Sequence, residues 1–417
     1  MSMLRSSVVL RTLGAAALLG SLACRDKSGD SQLPVTPPTT QPPAPTKLAV
    51  SGRGTITSRY TAEVWVHGNY GYTSSWGTRT VGGVATPGNT VHIWDVRGAS
   101  PVLVDSVTVP GATTVGDVQV SADGRLLVVP TELSPGSVVV YDLTNPTKPL
   151  QVSVFTSPKI TRGVHTCEIQ TINGRVTAFL SINSASGAPA RLMIVDLGDP
   201  VQPREVFTLD IPTSFIHDVF VRDGLLFTAQ WNNGLVIFDI GGGGRGGTLQ
   251  APVELGRVVT TGGKVHNIWW FHDPASGAKK YAFVGEEGPG SLFNSSAGDI
   301  HVVDVSSLSA PREVAFYSVA GAGTHNFSVD EAGGFLYAAY YNGGVQVLDV
   351  RGDLAGCTAA QKAGDGRCDL QLMGRAKSNG LLDQGLPVFV WGVQFTGGAL
   401  FASDMVNGLW RLTPSSR

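Results

Sequence analysis

The sequence predicts an all-β fold, a seven-bladed β-propeller of four-stranded blades closed by its own N-terminal strand. Three observations carry this prediction. First, an apolar run ending in Asp returns along the chain: it stands as Leu192-Met193-Ile194-Val195-Asp196-Leu197 and again in the runs that end at Asp95, Asp142, Asp239, Asp304 and Asp349. Second, those Asp positions are 47, 54, 43, 65 and 45 residues apart, near the roughly 40–50 residues of a four-stranded blade. Third, charged residues are 15% of the chain and Gly 53 of 417, against norms of roughly 25% and about 7%. Few charges and many glycines suit strands joined by tight turns.

The elements of one repeat follow in order. The Asp run is short and rich in Val and Ile, with Gly or Pro soon after, and reads as a buried strand that ends in a turn. A Pro and an outer strand come next, as in Pro149 to Phe155, Pro203 to Leu209 and Pro311 to Tyr317. An inner strand with a polar opening follows, then a second strand such as Gly224 to Ala229 or Gly334 to Ala339. The turn back to the Asp strand is often Asn and Gly (Asn232-Asn233-Gly234, Asn342-Gly343-Gly344, Asn407-Gly408), residues that accept the positive φ of a tight hairpin. The long 65-residue interval is assigned to an insertion near Gly285 to Gly298.

Inner strands begin near Thr61, Val115, Val164, Ile216, Val265, Thr324 and Val390, which makes seven blades. The last blade stops at Leu409-Trp410-Arg411-Leu412, with Thr413 where the Asp would stand, and lacks an outer strand. Lys47 to Gly52 matches the missing strand, so the N-terminus is expected to close the ring and leave no sheet edge at the seam.

At these residues the chain resembles the LVIVD-repeat proteins, bacterial and archaeal cell-surface and exported β-propellers, from Lys47 to Leu412. Asp196 with Asp199-Pro200 and Pro203 carries the motif in full, and Asn145-Pro146 with Pro149 in part. The resemblance implies the fold strongly and an activity hardly at all.

The first 23 residues have Arg5 and Arg11 ahead of a short apolar stretch, Leu13 to Gly20, and read as an export signal too short to span a membrane as a mature helix. Ser21-Leu22-Ala23-Cys24 resembles the lipobox of bacterial lipoproteins, with Ser21 where that family has an aliphatic residue. It implies that Cys24 is acylated and anchors the mature protein to a bacterial membrane, with several acyl chains holding it stably. Arg25 replaces the Asp that signals inner-membrane retention, so the outer membrane or cell surface is expected. Residues 24–46, with Pro34, Pro37, Pro38, Pro42, Pro43 and Pro45, read as an extended Pro-rich tether, and 47–417 as the propeller.

A net charge of −2 supplies no basic footprint for nucleic acid. Cys357 and Cys368 lie in one polar Gly-rich insertion and, in an exported chain, are expected to form a loop-closing disulfide; a Cys pair without His is a poor zinc site. Cys167 alternates with apolar neighbours and reads as a buried thiol. No nucleophile elbow, zincin helix, Walker loop or dinucleotide fingerprint occurs in the sequence.

One constellation could carry chemistry. His165, His217, His266 and His325 open four consecutive inner strands, and Trp391 stands at that position in the last blade. Inner strands line a propeller's central channel, so these rings should gather at one mouth. One reading makes them structural, each bonded within its own blade. The other makes them ligands, for Cu or Zn. Glu63, Asp117 and Asp218 follow in the next position and by strand alternation should point away. Most of Trp65, Trp94, Trp231, Trp269, Trp270 and Trp410 read as packing between blades, and His67, His92, His272 and His301 as incidental. The expected function is a non-catalytic, lipid-anchored and monomeric binding or scaffold module at the cell envelope, without a cofactor, for a protein or glycan partner. The alternative is a metalloprotein, an oxidoreductase or hydrolase, that uses the four histidines.

Overall fold

Seven antiparallel four-stranded sheets stand around a ring in the computed structural model, which describes residues 43–416 apart from 134, 185–187, 213 and 214. The protein is a seven-bladed β-propeller. The inner strands are Tyr60–His67, Gln119–Val120, Thr166–Ile172, Val219–Arg222, Val265–Trp270, Phe327–Asp330 and Val390–Thr396. Among the described residues the helical content is one 3₁₀ turn, Ala359–Gln361, and no helix is long and apolar enough to cross a membrane. The expected signal peptide, Cys24 and the tether through residue 42 lie outside the described residues.

The repeated Asp has a local physical cause. In six blades its Oδ1 accepts the backbone N–H two residues on: Arg97, Thr144, Gly198, Gly241, Ser306 and Arg351. This Asx turn takes the chain out of the third strand toward the outer one. Thr413 stands at the seventh position because the chain does not turn there; Gly408–Ser415 runs on against Lys47–Gly54, with Lys47 opposite Ser415 and Val50 opposite Leu412. Three residues read as tether also engage this blade or its neighbour: Ala44 packs on an apolar cluster there, the Pro45 carbonyl accepts from Ser378 Oγ, and Thr46 N–H donates to Ser415.

Third and outer strands are joined through a register shift in every blade, for example between Ile194 and Val195, between Ile237 and Phe238, and at the seam between Val50 and Gly52. Such bulges increase strand twist. The twisted sheets pack face to face through seven apolar clusters, one in each cleft between neighbouring blades. Trp94 and Trp410 are buried in this packing.

An added element lies between the third and outer strands of blade six, Val345–Asp349 and Ala376–Gly380. Cys357 and Cys368 are joined by a disulfide with Cα atoms 5.9 Å apart, and Cys368–Asp369 adds a parallel strand to the outer edge of blade five. Cys167 is a buried free thiol.

Candidate functional site

The ring encloses a cavity of about 650 Å³ lined by residues of all seven blades. What points into it is decided at the entry of each inner strand. In blade four Ala229 accepts the N–H of His217 and donates to the carbonyl of Asp218; in blade six Ala339 does the same with His325 and Asn326. Two residues oppose one, which is a bulge. Blades one, five and seven shift register at the same place, between Thr61 and Val64, Val265 and Asn267, and Val390 and Gly392. A bulge re-aims side chains, so adjacent residues both reach the channel. The expectation that Glu63, Asp117 and Asp218 point away is therefore corrected: all three line the same cavity as His165, His266 and His325.

The histidines form one continuous arc. Ring centroids are 4.5 Å apart from His165 to His217, 4.7 Å from His217 to His266 and 4.2 Å from His266 to His325, and Trp391 follows at 4.3 Å. Their bonds cross between blades, against the expectation of bonds within each blade. His165 Nδ1 pairs with Glu132 of blade two, and its Nε2 lies 2.8 Å from His217 Nδ1. His325 Nδ1 donates to the Trp391 carbonyl over 2.8 Å. A carbonyl can only accept, so His325 Nε2 keeps its lone pair. Nδ1 of His266 is buried with no hydrogen-bond partner among the described residues, and its Nε2 lies 4.0 Å from Glu287. Glu287 is held by the Tyr341 hydroxyl, which donates to it over 2.6 Å.

Charge follows from this setting. Burial, then neighbouring histidines, holds the pKa values of His217 and His325 well below the ordinary range, and burial brings His266 to about 4. All three are neutral imidazoles at neutral pH. Burial also pulls His165 down, but the carboxylates of Glu132, Glu287 and Asp117 together outweigh it and the net shift is upward.

One level further in lies a set of carboxyls. Glu63 accepts from Val64 N–H and from Asn326, reaching toward blade six across Gly392, where a Cβ would come within 2.0 Å of its Oε1. Asp117 accepts from Val118 and Cys167 N–H, each at 2.7 Å, and Glu168 from Gln119 and Gln170. Asp218 accepts from Val219 N–H. Burial, aided by mutual repulsion in Glu63, Glu168 and Asp218, raises them all: Glu63 to about 8, Glu168 to about 7, Asp117 to about 6 and Asp218 well above its ordinary value. Trp65, Phe220, Trp269 and Phe395 supply apolar wall beside them.

Sequence reasoning placed His165, His217, His266, His325 and Trp391 at one station, and the structure brings them together. It missed Glu132 and Glu287, which lie just past the second strands Leu126–Thr131 and Tyr281–Glu286. A signal existed in their equivalents: Trp231 and Tyr341 follow the second strands of blades four and six and also face the arc, Trp231 stacking on His217 at 4.8 Å. Trp231 and Tyr341, not the Asn residues after them, hold positive φ, 48° and 43°. His301, read as incidental, is 1% exposed and clamped between Glu313 and Glu286.

A closed seven-bladed ring with one polar central cavity defines a propeller of the repeat class. The LVIVD-repeat family model matches three segments of it, residues 58–78, 216–260 and 295–319. No curated protein matches the chain.

Proposed function

We propose that the protein is an exported, lipid-anchored binding module at the cell envelope, and that its ligand is a small molecule with a cationic group held in the central cavity. The observation that carries this is the meeting of Glu63, Asp117, Glu168 and Asp218, from four successive blades, in one cavity walled by Trp65, Phe220, Trp269 and Phe395. Like charges buried together are costly, and a cation relieves that cost while aromatic faces add attraction. The buried Oδ1 of Asn267, without a partner among the described residues, offers the same group an acceptor. Export is supported by the leader up to Ala23 and the Cys24 motif, and the Cys357–Cys368 disulfide suits an oxidising compartment.

Calorimetric titration with spermidine, choline and a neutral sugar tests the reading. The amines bind and the sugar does not. Affinity for amines rises from pH 6 to pH 8, because Asp117, Glu168 and Glu63 lose their protons across values of about 6, 7 and 8 and only the ionised forms attract a cation. Glu63→Gln weakens binding. Amine affinity that is absent, or unchanged in Glu63→Gln, overturns the reading.

A further inference from the structure

We propose that His217, His266 and Glu287 bind one divalent late first-row transition-metal ion, Zn²⁺ or Cu²⁺, with His325 as the adjacent fourth donor. This goes beyond the cavity ligand: it uses the histidine arc and none of the channel carboxyls.

Geometry comes first. One donor atom from each of His217, His266 and Glu287 lies within 4.8 Å of the others. Donors sharing an ion at about 2.0–2.2 Å stand roughly 3.3 Å apart in a tetrahedral set, so side-chain movements of about 1 Å complete the site.

Three of the four donors are already oriented by a neighbour, as outer partners orient the ligands of metal sites. Tyr341 holds one oxygen of Glu287. His165 caps Nδ1 of His217, and the Trp391 carbonyl caps Nδ1 of His325. His266 is 4% exposed, and its Nδ1 has no hydrogen-bond partner among the described residues. A buried polar nitrogen left without a partner is costly.

The walls point the same way. Phe215 and Trp231 pack on His217, and Tyr341 and Trp391 pack on His325. Trp231 and Tyr341 adopt left-handed backbone that bulky side chains avoid, and such outliers gather at functional sites. Mixed nitrogen and carboxylate donors select Zn²⁺ or Cu²⁺ over Ca²⁺ or Mg²⁺, which favour oxygen alone.

The test is titration of tag-free, chelator-stripped protein with Zn²⁺ against a competing chelator, with Co²⁺ absorption as a readout of coordination. One equivalent binds to the wild type. Tyr341→Phe, which removes only the hydroxyl that orients Glu287, weakens binding by about 10- to 100-fold. Glu287→Gln and His266→Ala weaken it further. His272→Ala and Glu63→Gln bind as wild type, so loss of amine binding and loss of metal binding are separable. Metal-free melting curves establish that each variant is folded, and Tyr341→Phe decides the case for any that is not. Absence of stoichiometric Zn²⁺, or binding that survives both Glu287→Gln and His266→Ala, overturns the proposal.

Discussion

Nε2 of His165 lies 2.8 Å from Nδ1 of His217, although the two residues belong to different blades. The hydrogen bond joins blades three and four at the channel, and Glu132 extends it to blade two. The histidines therefore act as a coupled unit, and their substitutions are expected to be non-additive. In metal-free protein unfolded by urea, a His165→Ala/His217→Ala double-mutant cycle should give a coupling energy of about 1 kcal/mol or more, as for residues in one network. Additivity within about 0.3 kcal/mol would count against the coupling.

Ring closure is the second prediction. Leu48 is buried at the seam and the strand Lys47–Gly54 pairs along the whole last blade. Deleting residues 25–42 should leave the melting temperature unchanged, whereas deletion through Gly54 should cost more than about 4 kcal/mol, a large part of a typical total stability. Equal melting temperatures of the two truncations would sink the closure argument.

The third concerns His301, whose Nδ1 is 2.6 Å from Glu313 and whose Nε2 is 3.3 Å from Glu286. Burial alone would lower its pKa, but the two carboxylates push it up to about 9 from an ordinary 6.5. The folded value lies above the unfolded one, so the stability gained is complete below about pH 6.5 and is lost as pH rises through 9. The shift corresponds to something on the order of 3 kcal/mol. Urea midpoints should fall between pH 7 and pH 9.5, and the fall should be smaller in His301→Gln. An identical fall in that variant would exclude the clamp as its source.

These particulars show why the fold was easier to read than the site. The Asp motif recurs because an Asx turn has one local requirement, an acceptor two residues before a backbone N–H, and a local requirement leaves a mark in every blade. Thr413 breaks the pattern for an equally local reason, since that strand continues into pairing with Lys47–Gly54. The four histidines were legible because they share a station. Their chemistry was not. Glu132 and Glu287 come from turns where residue type varies from blade to blade, and bulges at the strand entries defeat the alternation that would have sent Glu63, Asp117 and Asp218 outward. His301 was passed over because its partners, Glu286 and Glu313, lie on two other strands.

A fourth prediction concerns the anchor. In a bacterial host Cys24→Ser should move the protein from the membrane fraction to the soluble one, because no helix among the described residues is long and apolar enough to hold it. Unchanged partitioning would contradict acylation at Cys24.

The central claim is that neighbouring blades combine their side chains at the channel into one binding centre. Anomalous diffraction at the zinc edge, from crystals of the tag-free chain soaked in Zn²⁺, tests it most directly. The account predicts a single strong peak about 2.0–2.2 Å from the donors of His217, His266 and Glu287. A channel without a peak, in crystals that show zinc only on the outer surface, would contradict it.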